Sequence, residues 1–277
     1  MSKRHFDIQK VIIILGQTAT GKSALAIKIA KKVNGEVISA DSRQIYKGLD
    51  IGTGKISKRE MKGIPHHLLD VANPKHKFSV AEFQQLAISA IAEIISRGKT
   101  PIICGGTGFY IDAITKGIVF PEVPPNYPLR KKLAFASDRA LMLKLQKLDP
   151  ERAKNIDPKN KHRLIRAIEI AKTLGKVPKI KVKTLPYKFM KIGLYLPPEK
   201  LKKKVGQRVK KMFKNGLLKE IKKLKKSGVS DQRLKELGFE YDYPTPEKVI
   251  KETLQYAKRQ TAWFKRDKEI KWFELYI

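Results

Sequence analysis

The chain has 277 residues, 42% of them hydrophobic, with 60 Lys and Arg against 26 Asp and Glu, a formal net charge of +34. That composition buries a core and excludes a disordered tail; the one cysteine, Cys104, excludes an internal disulfide and a thiolate-rich zinc site, and fits a reducing cytoplasm. The charge is uneven: residues 1–117 hold 18 basic and 9 acidic side chains, residues 118–277 hold 42 and 17. Such asymmetry points to a polyanion bound mainly by the second half, or to a solvated lysine-rich surface, since Lys outnumbers Arg 47 to 13.

At the N-terminus Lys3, Arg4 and Lys10 precede an apolar run at residues 11–15. Five residues are too few for a signal core or a membrane span, so the run reads as a buried first strand and no membrane association is expected. Further strands are predicted at residues 36–40 and 100–104, with helices at 22–33 and 80–97. That alternation predicts an α/β fold with a parallel sheet. The run Phe120-Pro121-Glu122-Val123-Pro124-Pro125 then marks a boundary near residue 118. Residues 129–174 are expected to be helical, broken at Asp149-Pro150 and Asp157-Pro158, and residues 188–196 to return as a strand. A basic helix follows over 200–226, with Leu201, Val205, Val209, Met212, Ile221 and Leu224 on its buried face. A last helix is predicted over 246–265, and a strand over 270–276 closes the sheet.

Gly16-Gln17-Thr18-Ala19-Thr20-Gly21-Lys22-Ser23 fits the pattern G-x-x-x-x-G-K-S, directly after a strand and opening a helix. Its backbone amides can wrap phosphate oxygens, Lys22 adds a positive charge, and the Ser23 hydroxyl is a candidate ligand of Mg²⁺. Asp41 follows the second strand, where ligands of open α/β sheets sit. It can take a proton from a nucleophile, or it is a turn or cap aspartate. The third strand ends in Gly105-Gly106-Thr107 where a hydrolysing NTPase would carry a metal-holding carboxylate. A transferase is favoured, against a small-molecule kinase, an enzyme acting on free adenine nucleotides, or a non-catalytic RNA-binding protein. Among His5, His66, His67, His76 and His162, structural roles are expected rather than metal ligation. Arg163 and Arg166 share a helical face that grips phosphates or is merely solvated.

Taken together these stretches resemble the tRNA dimethylallyltransferase family, of bacterial type because no C-terminal zinc finger follows. The resemblance rests on residues 16–23, 41–53, 65–70, 105–110, 148–150 and 162–166, on Tyr256-Ala257-Lys258-Arg259-Gln260, and on Trp263-Phe264. It implies a P-loop NTPase-like parallel sheet core, residues 1–118 and 187–277, with an inserted small helical domain, 119–186, that helps clamp the anticodon stem-loop. The implied reaction moves a dimethylallyl group from dimethylallyl diphosphate to the exocyclic amine of the adenosine immediately 3′ of the anticodon. Asp41 would be the base, Thr107 would hold the reacting groups, and Arg208 would neutralise the leaving diphosphate. Residues 16–23 would bind that diphosphate with Mg²⁺. Asp41, Ser42, Arg43, Gln44, Thr107, Arg130, His162, Arg163, Leu164, Ile165 and Arg166 would contact tRNA. The expected enzyme is cytoplasmic and monomeric. Two departures stand out: Gly238-Phe239-Glu240 puts an acid where the family tends to have Lys or Arg, at an expected RNA surface, and Leu254 replaces a frequent arginine.

Overall fold

The computed structural model describes residues 9–274. Lys3, Arg4, His5 and the end of the predicted closing strand, Leu275 and Tyr276, lie outside the described residues. Among the described residues no helix is long and apolar enough to cross a membrane. The chain divides into two compact units, Met1–Gly117 with Thr184–Ile277, and Ile118–Lys183.

The first unit opens with β1 (Gln9–Gly16), α1 (Lys22–Lys32), β2 (Gly35–Ala40), α2 (Lys58–Met61), β3 (His66–His67), α3 (Val80–Ser96), β4 (Thr100–Gly105) and α4 (Gly108–Thr115). The second unit holds β5 (Ile118–Val119), α5 (Tyr127–Ala134), α6 (Asp138–Leu148), α7 (Pro150–Lys154), α8 (Lys161–Leu174) and β6 (Lys181–Val182). The first unit resumes with β7 (Tyr187–Tyr195), α9 (Pro198–Lys214), α10 (Leu217–Lys226), α11 (Asp231–Leu237), α12 (Pro246–Phe264) and β8 (Lys271–Glu274).

Six strands form one sheet in the order β3-β2-β4-β1-β7-β8, and every pairing in it is parallel. β1 lies in the middle, covered on both faces, which is why its sequence is a continuous apolar run rather than an alternating one. Val11, Ile13 and Leu15 face Phe83, Ile91, Ile94 and Phe264. Ile14 faces the opposite way, toward Ala26, Ala30 and Val37. Full burial of each of these aliphatic side chains contributes about 1.5–3 kcal/mol. The strands run in the same sense, so the ends of β1, β2 and β4 deliver the phosphate loop, Asp41 and Gly106-Thr107 to one edge of the sheet.

Two predicted helices are each split. The 129–148 stretch breaks at Phe135–Ser137, because the Ser137 side chain accepts from Ala140 N and starts α6 afresh. The 200–226 stretch breaks at Asn215-Gly216, with Gly216 at φ 99°. The apolar face nevertheless continues across that break, as Met212, Leu217, Ile221 and Leu224 share one cluster.

Candidate active site

The phosphate loop joins β1 to α1, and its geometry differs from most other helix starts in the chain. Ser79 and Glu82 form a reciprocal capping box on α3, and Ser137, Asn160, Ser230 and Thr245 cap α6, α8, α11 and α12. α1 starts from left-handed Gly21 with no side-chain cap, and α4 from Thr107 also without one. An uncapped start leaves N–H groups available to an anion.

Two half-buried cations lie beside that loop. Lys22 Nζ donates to Gln17 O. Burial drives its pKa down to about 8, assisted by the Arg208 charge and opposed by Cys104 and Asp41. Arg208 comes from α9, donating from Nη2 to Thr53 O at 2.8 Å and from Nη1 to Thr18 Oγ1 at 3.3 Å. Burial lowers its pKa as well, against the pull of Glu240 and Asp41. Gly54 is what lets Arg208 lie there: its φ is +58°, and a Cβ would stand 2.5 Å from Nη2. Two partly desolvated cations at an uncapped helix start give this end of the sheet a concentration of positive charge.

Asp41 follows β2 and lines the same cavity as Thr18, Arg43, Arg208, Phe239, Glu240 and Tyr256. Its Oδ1 accepts from Arg43 N at 2.9 Å and Gln44 N at 3.3 Å. One oxygen therefore builds the turn, while Oδ2 accepts no hydrogen bond among the described residues. The turn contacts thus occupy one atom of the carboxylate and leave the other unengaged among the described residues. Ser42 N donates to Thr107 Oγ1 at 3.0 Å, and the two hydroxyls are 3.3 Å apart, so Thr107 fastens this turn to the end of β4. Gln44 Nε2 reaches Thr53 O at 3.4 Å. Beside this cavity a hollow of about 360 Å³ is lined by Ser42, Arg43, Tyr46, Lys77, Tyr110 and Arg233, among others.

Several expectations need correction. Glu240 is not an exposed acid: it is buried, its Oε2 accepts from Arg43 Nη1 at 2.6 Å, and burial raises its pKa against the opposing Arg43 charge. Arg43 is consequently not a freely projecting cation. Leu254 packs against Val249, Leu201 and Val205, so an apolar residue there is explained by burial. In the helical unit Leu164 is fully buried and Ile165 packs on the same cluster, which turns the Leu164 side chain away from any ligand. Arg130 Nη2 and Arg166 Nη1 both donate to the buried Glu169 carboxylate, and Arg166 Nη2 donates to Val123 O at 2.8 Å. Of that set His162 and Arg163 are the exposed ones. The adjacent histidines serve different partners, His66 Nδ1 on Ile64 O and His67 Nε2 on Glu36 Oε2.

Sequence reasoning missed three groups here. Gln260 and Thr261 on α12 hold the phosphate loop, Gln260 Oε1 accepting from Thr18 N at 2.8 Å and Thr261 Oγ1 from Gln17 Nε2 at 3.0 Å. Glu220 gathers the N–H groups of Asp50, Ile51 and Gly52 and the Tyr241 hydroxyl. Tyr256 and Phe239 line the cavity, both rings facing the Arg43 guanidinium. Only the Tyr256–Gln260 motif signalled any of this.

The family model described as "IPP transferase" matches residues 44–267. The chain belongs to this family. A tRNA dimethylallyltransferase of Anoxybacillus flavithermus is 42% identical, over 96% of this chain and 91% of that protein. One from Bacillus subtilis is 40% identical, again over 96% and 91%. Among solved structures, the tRNA isopentenylpyrophosphate transferase of Bacillus halodurans superposes with a TM-score of 0.71 at 39% identity, covering 96% of this chain and 90% of that one. A eukaryotic dimethylallyltransferase acting on tRNA superposes with a TM-score of 0.80 at 29% identity, covering 96% and 74%. This member of the IPP transferase family therefore has the P-loop NTPase-like core of its relatives.

Proposed function

We propose that this chain transfers the dimethylallyl group of dimethylallyl diphosphate to the exocyclic amine of the adenosine immediately 3′ of the anticodon in tRNA, releasing diphosphate. The observation that carries this reading is the convergence of Lys22 and Arg208 beside the open start of α1, with Arg208 and Asp41 lining one cavity. An anion and a proton-bearing nucleophile are what such a site accommodates together. β4 ends at Gly105 and is followed by Gly106-Thr107, without a carboxylate there to organise a hydrolytic water.

On this reading the diphosphate lies on the loop Gly16–Ser23, with Lys22 and Arg208 stabilising the negative charge that grows as the allylic carbon–oxygen bond breaks. The adenine amine forms the new carbon–nitrogen bond, and Asp41 Oδ2 takes the proton released from that nitrogen. Thr107 holds the Asp41–Ser42 turn in register, and positioning of both reactants supplies much of the acceleration. The target base leaves its stack to reach Asp41.

The residues present fit Mg²⁺ as an ion carried on the diphosphate. Ser23 offers one hydroxyl, and the described residues contain no group of three His, Cys, Asp or Glu side chains able to cage a metal. When bound, it would neutralise diphosphate charge. Exposed His162 and Arg163, with the other basic side chains of residues 118–183, support a tRNA-binding role for the helical unit. On this reading the enzyme is a monomer acting in the cytoplasm, where its tRNA substrate is found.

The test is incubation with dimethylallyl diphosphate, Mg²⁺ and total tRNA, followed by mass spectrometry of the nucleosides. A prenylated adenosine is expected from tRNA and not from AMP; product from AMP alone, or none at all, overturns the reading.

A further inference from the structure

Gln260, on α12, is 5% exposed, and both ends of its carboxamide are engaged. Oε1 accepts from Thr18 N at 2.8 Å, and Nε2 donates to Gly106 O at 2.9 Å. The first partner belongs to the phosphate loop, the second to the turn after β4. One amide thus reaches both. Gly106 is shaped to admit it: a Cβ there would lie 2.1 Å from Nε2.

What each partner touches gives the bridge its meaning. Thr18 also receives Arg208 through its hydroxyl. Gly106 precedes Thr107, which holds Ser42 and so the turn that carries Asp41. The next residue, Thr261, takes Gln17 Nε2, while Gln17 Oε1 accepts from Leu196 N at 3.1 Å, so the loop is gripped from α12 on more than one side chain. The cation-bearing side of the cavity and its carboxylate side are separate loops of the sheet edge, and one buried carboxamide spans them.

We propose that Gln260 is a positioning residue for group transfer, setting the separation between the diphosphate-holding loop and the Asp41 turn without touching either substrate. The proposal rests on the prenyl-transfer reading above. Reacting atoms must stand within about 3–3.5 Å, and a misplacement of about 1 Å costs on the order of 10²-fold in rate. Loss of the bridge therefore shows in the chemical step, whereas each substrate still meets its own half of the site.

The experiment compares Gln260→Met, Gln260→Glu and Gly106→Ala with the wild-type chain. Three quantities are read: the single-turnover rate with both substrates saturating, the Kd of dimethylallyl diphosphate, and the Kd of tRNA. Gln260→Met removes both hydrogen bonds at nearly constant volume. Gln260→Glu keeps the acceptor for Thr18 N and loses the donor to Gly106 O. Gly106→Ala pushes the amide aside from the other end, and it carries the test if a Gln260 variant fails to fold. The expected result is a rate reduced about 10²-fold with both Kd values within about threefold of wild type. The Gly106→Ala/Gln260→Met double variant is expected to be no slower than the slower single, since the two changes break one bridge. Folded variants that transfer at the wild-type rate overturn the proposal. So does a loss confined to diphosphate affinity, which would make Gln260 a support of the loop alone. A wild-type chain that transfers nothing overturns the functional reading and this proposal with it.

Discussion

Arg43 Nη1 donates to Glu240 Oε2 at 2.6 Å, and the same guanidinium lies 4.8 Å from the Phe239 ring centre and 5.4 Å from that of Tyr256. The acid that departs from the family pattern thus neutralises the arginine expected to meet RNA. An approaching phosphate has to compete with Glu240 for it. Glu240→Gln is expected to tighten tRNA binding by up to about fivefold, the value of a partly exposed pair at about 0.2–1 kcal/mol. Salt-dependent binding measurements check this; unchanged or weaker affinity would remove Arg43 from the RNA contacts.

Asp41 lines the cavity and engages only Oδ1 in the turn. Asp41→Asn retains an oxygen for Arg43 N and Gln44 N but cannot accept a proton. It should bind both substrates about normally while single-turnover transfer falls about 10²–10⁴-fold. Transfer close to the wild-type rate would leave Asp41 with its turn role alone.

Lys22 is expected to make diphosphate binding depend on pH. Burial holds its pKa at about 8 in the free protein, below the ordinary lysine value. A bound diphosphate favours the charged form and raises that pKa, so binding above pH 8 must take up a proton. Affinity is expected to be level below about pH 8 and to fall as pH rises past it. Calorimetry in buffers of different ionisation enthalpy should show proton uptake at pH 9 and little at pH 7. Lys22→Met should bind more weakly at all pH values and lose this dependence.

Glu220 sets the backbone that receives Arg208. Its carboxylate accepts from Asp50 N at 3.0 Å, Ile51 N at 2.7 Å, Gly52 N at 3.0 Å and the Tyr241 hydroxyl at 2.9 Å. Thr53 O, next along the chain, takes Arg208 Nη2. Glu220→Gln keeps one acceptor oxygen and should cost about 1.5–3 kcal/mol, the worth of a hydrogen bond to a charged group. Chemical denaturation measures that loss, and diphosphate affinity should weaken in parallel. Full stability in Glu220→Gln would deny the carboxylate this role.

Glu169 ties the helical unit together. Burial alone would raise its pKa, but hydrogen bonds from Arg130, Asn126 N and Arg166 prevail and hold it at about 2. A depressed carboxylate contributes stability above its unfolded pKa and loses it as pH falls through the folded one. Residues 118–183 should therefore loosen as pH drops from about 4.5 toward 2. Glu169→Gln is expected to cost about 3–5 kcal/mol at neutral pH, as for a buried pair deprived of one partner. Arg166→Ala should share that instability, whereas Arg163→Ala should lower tRNA affinity without changing Tm. Equal effects of the two arginines on Tm would contradict this division.

The sequence by itself determined what is local or periodic. The longer strands and helices, the phosphate loop between β1 and α1, Asp41 past β2, and the buried face of α9 and α10 follow from spacing within a few turns of chain, whereas the short elements β3, β5, β6, α2, α4 and α11 do not. What tertiary structure alone decided concerns partners far apart in the chain. Gln260 meets Thr18 and Gly106, Glu220 meets the loop 50–52, and Glu240 meets Arg43, in each case across more than 150 residues. Charge at such positions says nothing about exposure until a neighbour is known. That is why Glu240 reads as a surface acid and Arg166 as a free phosphate grip, while packing buries the first and ties the second to Glu169.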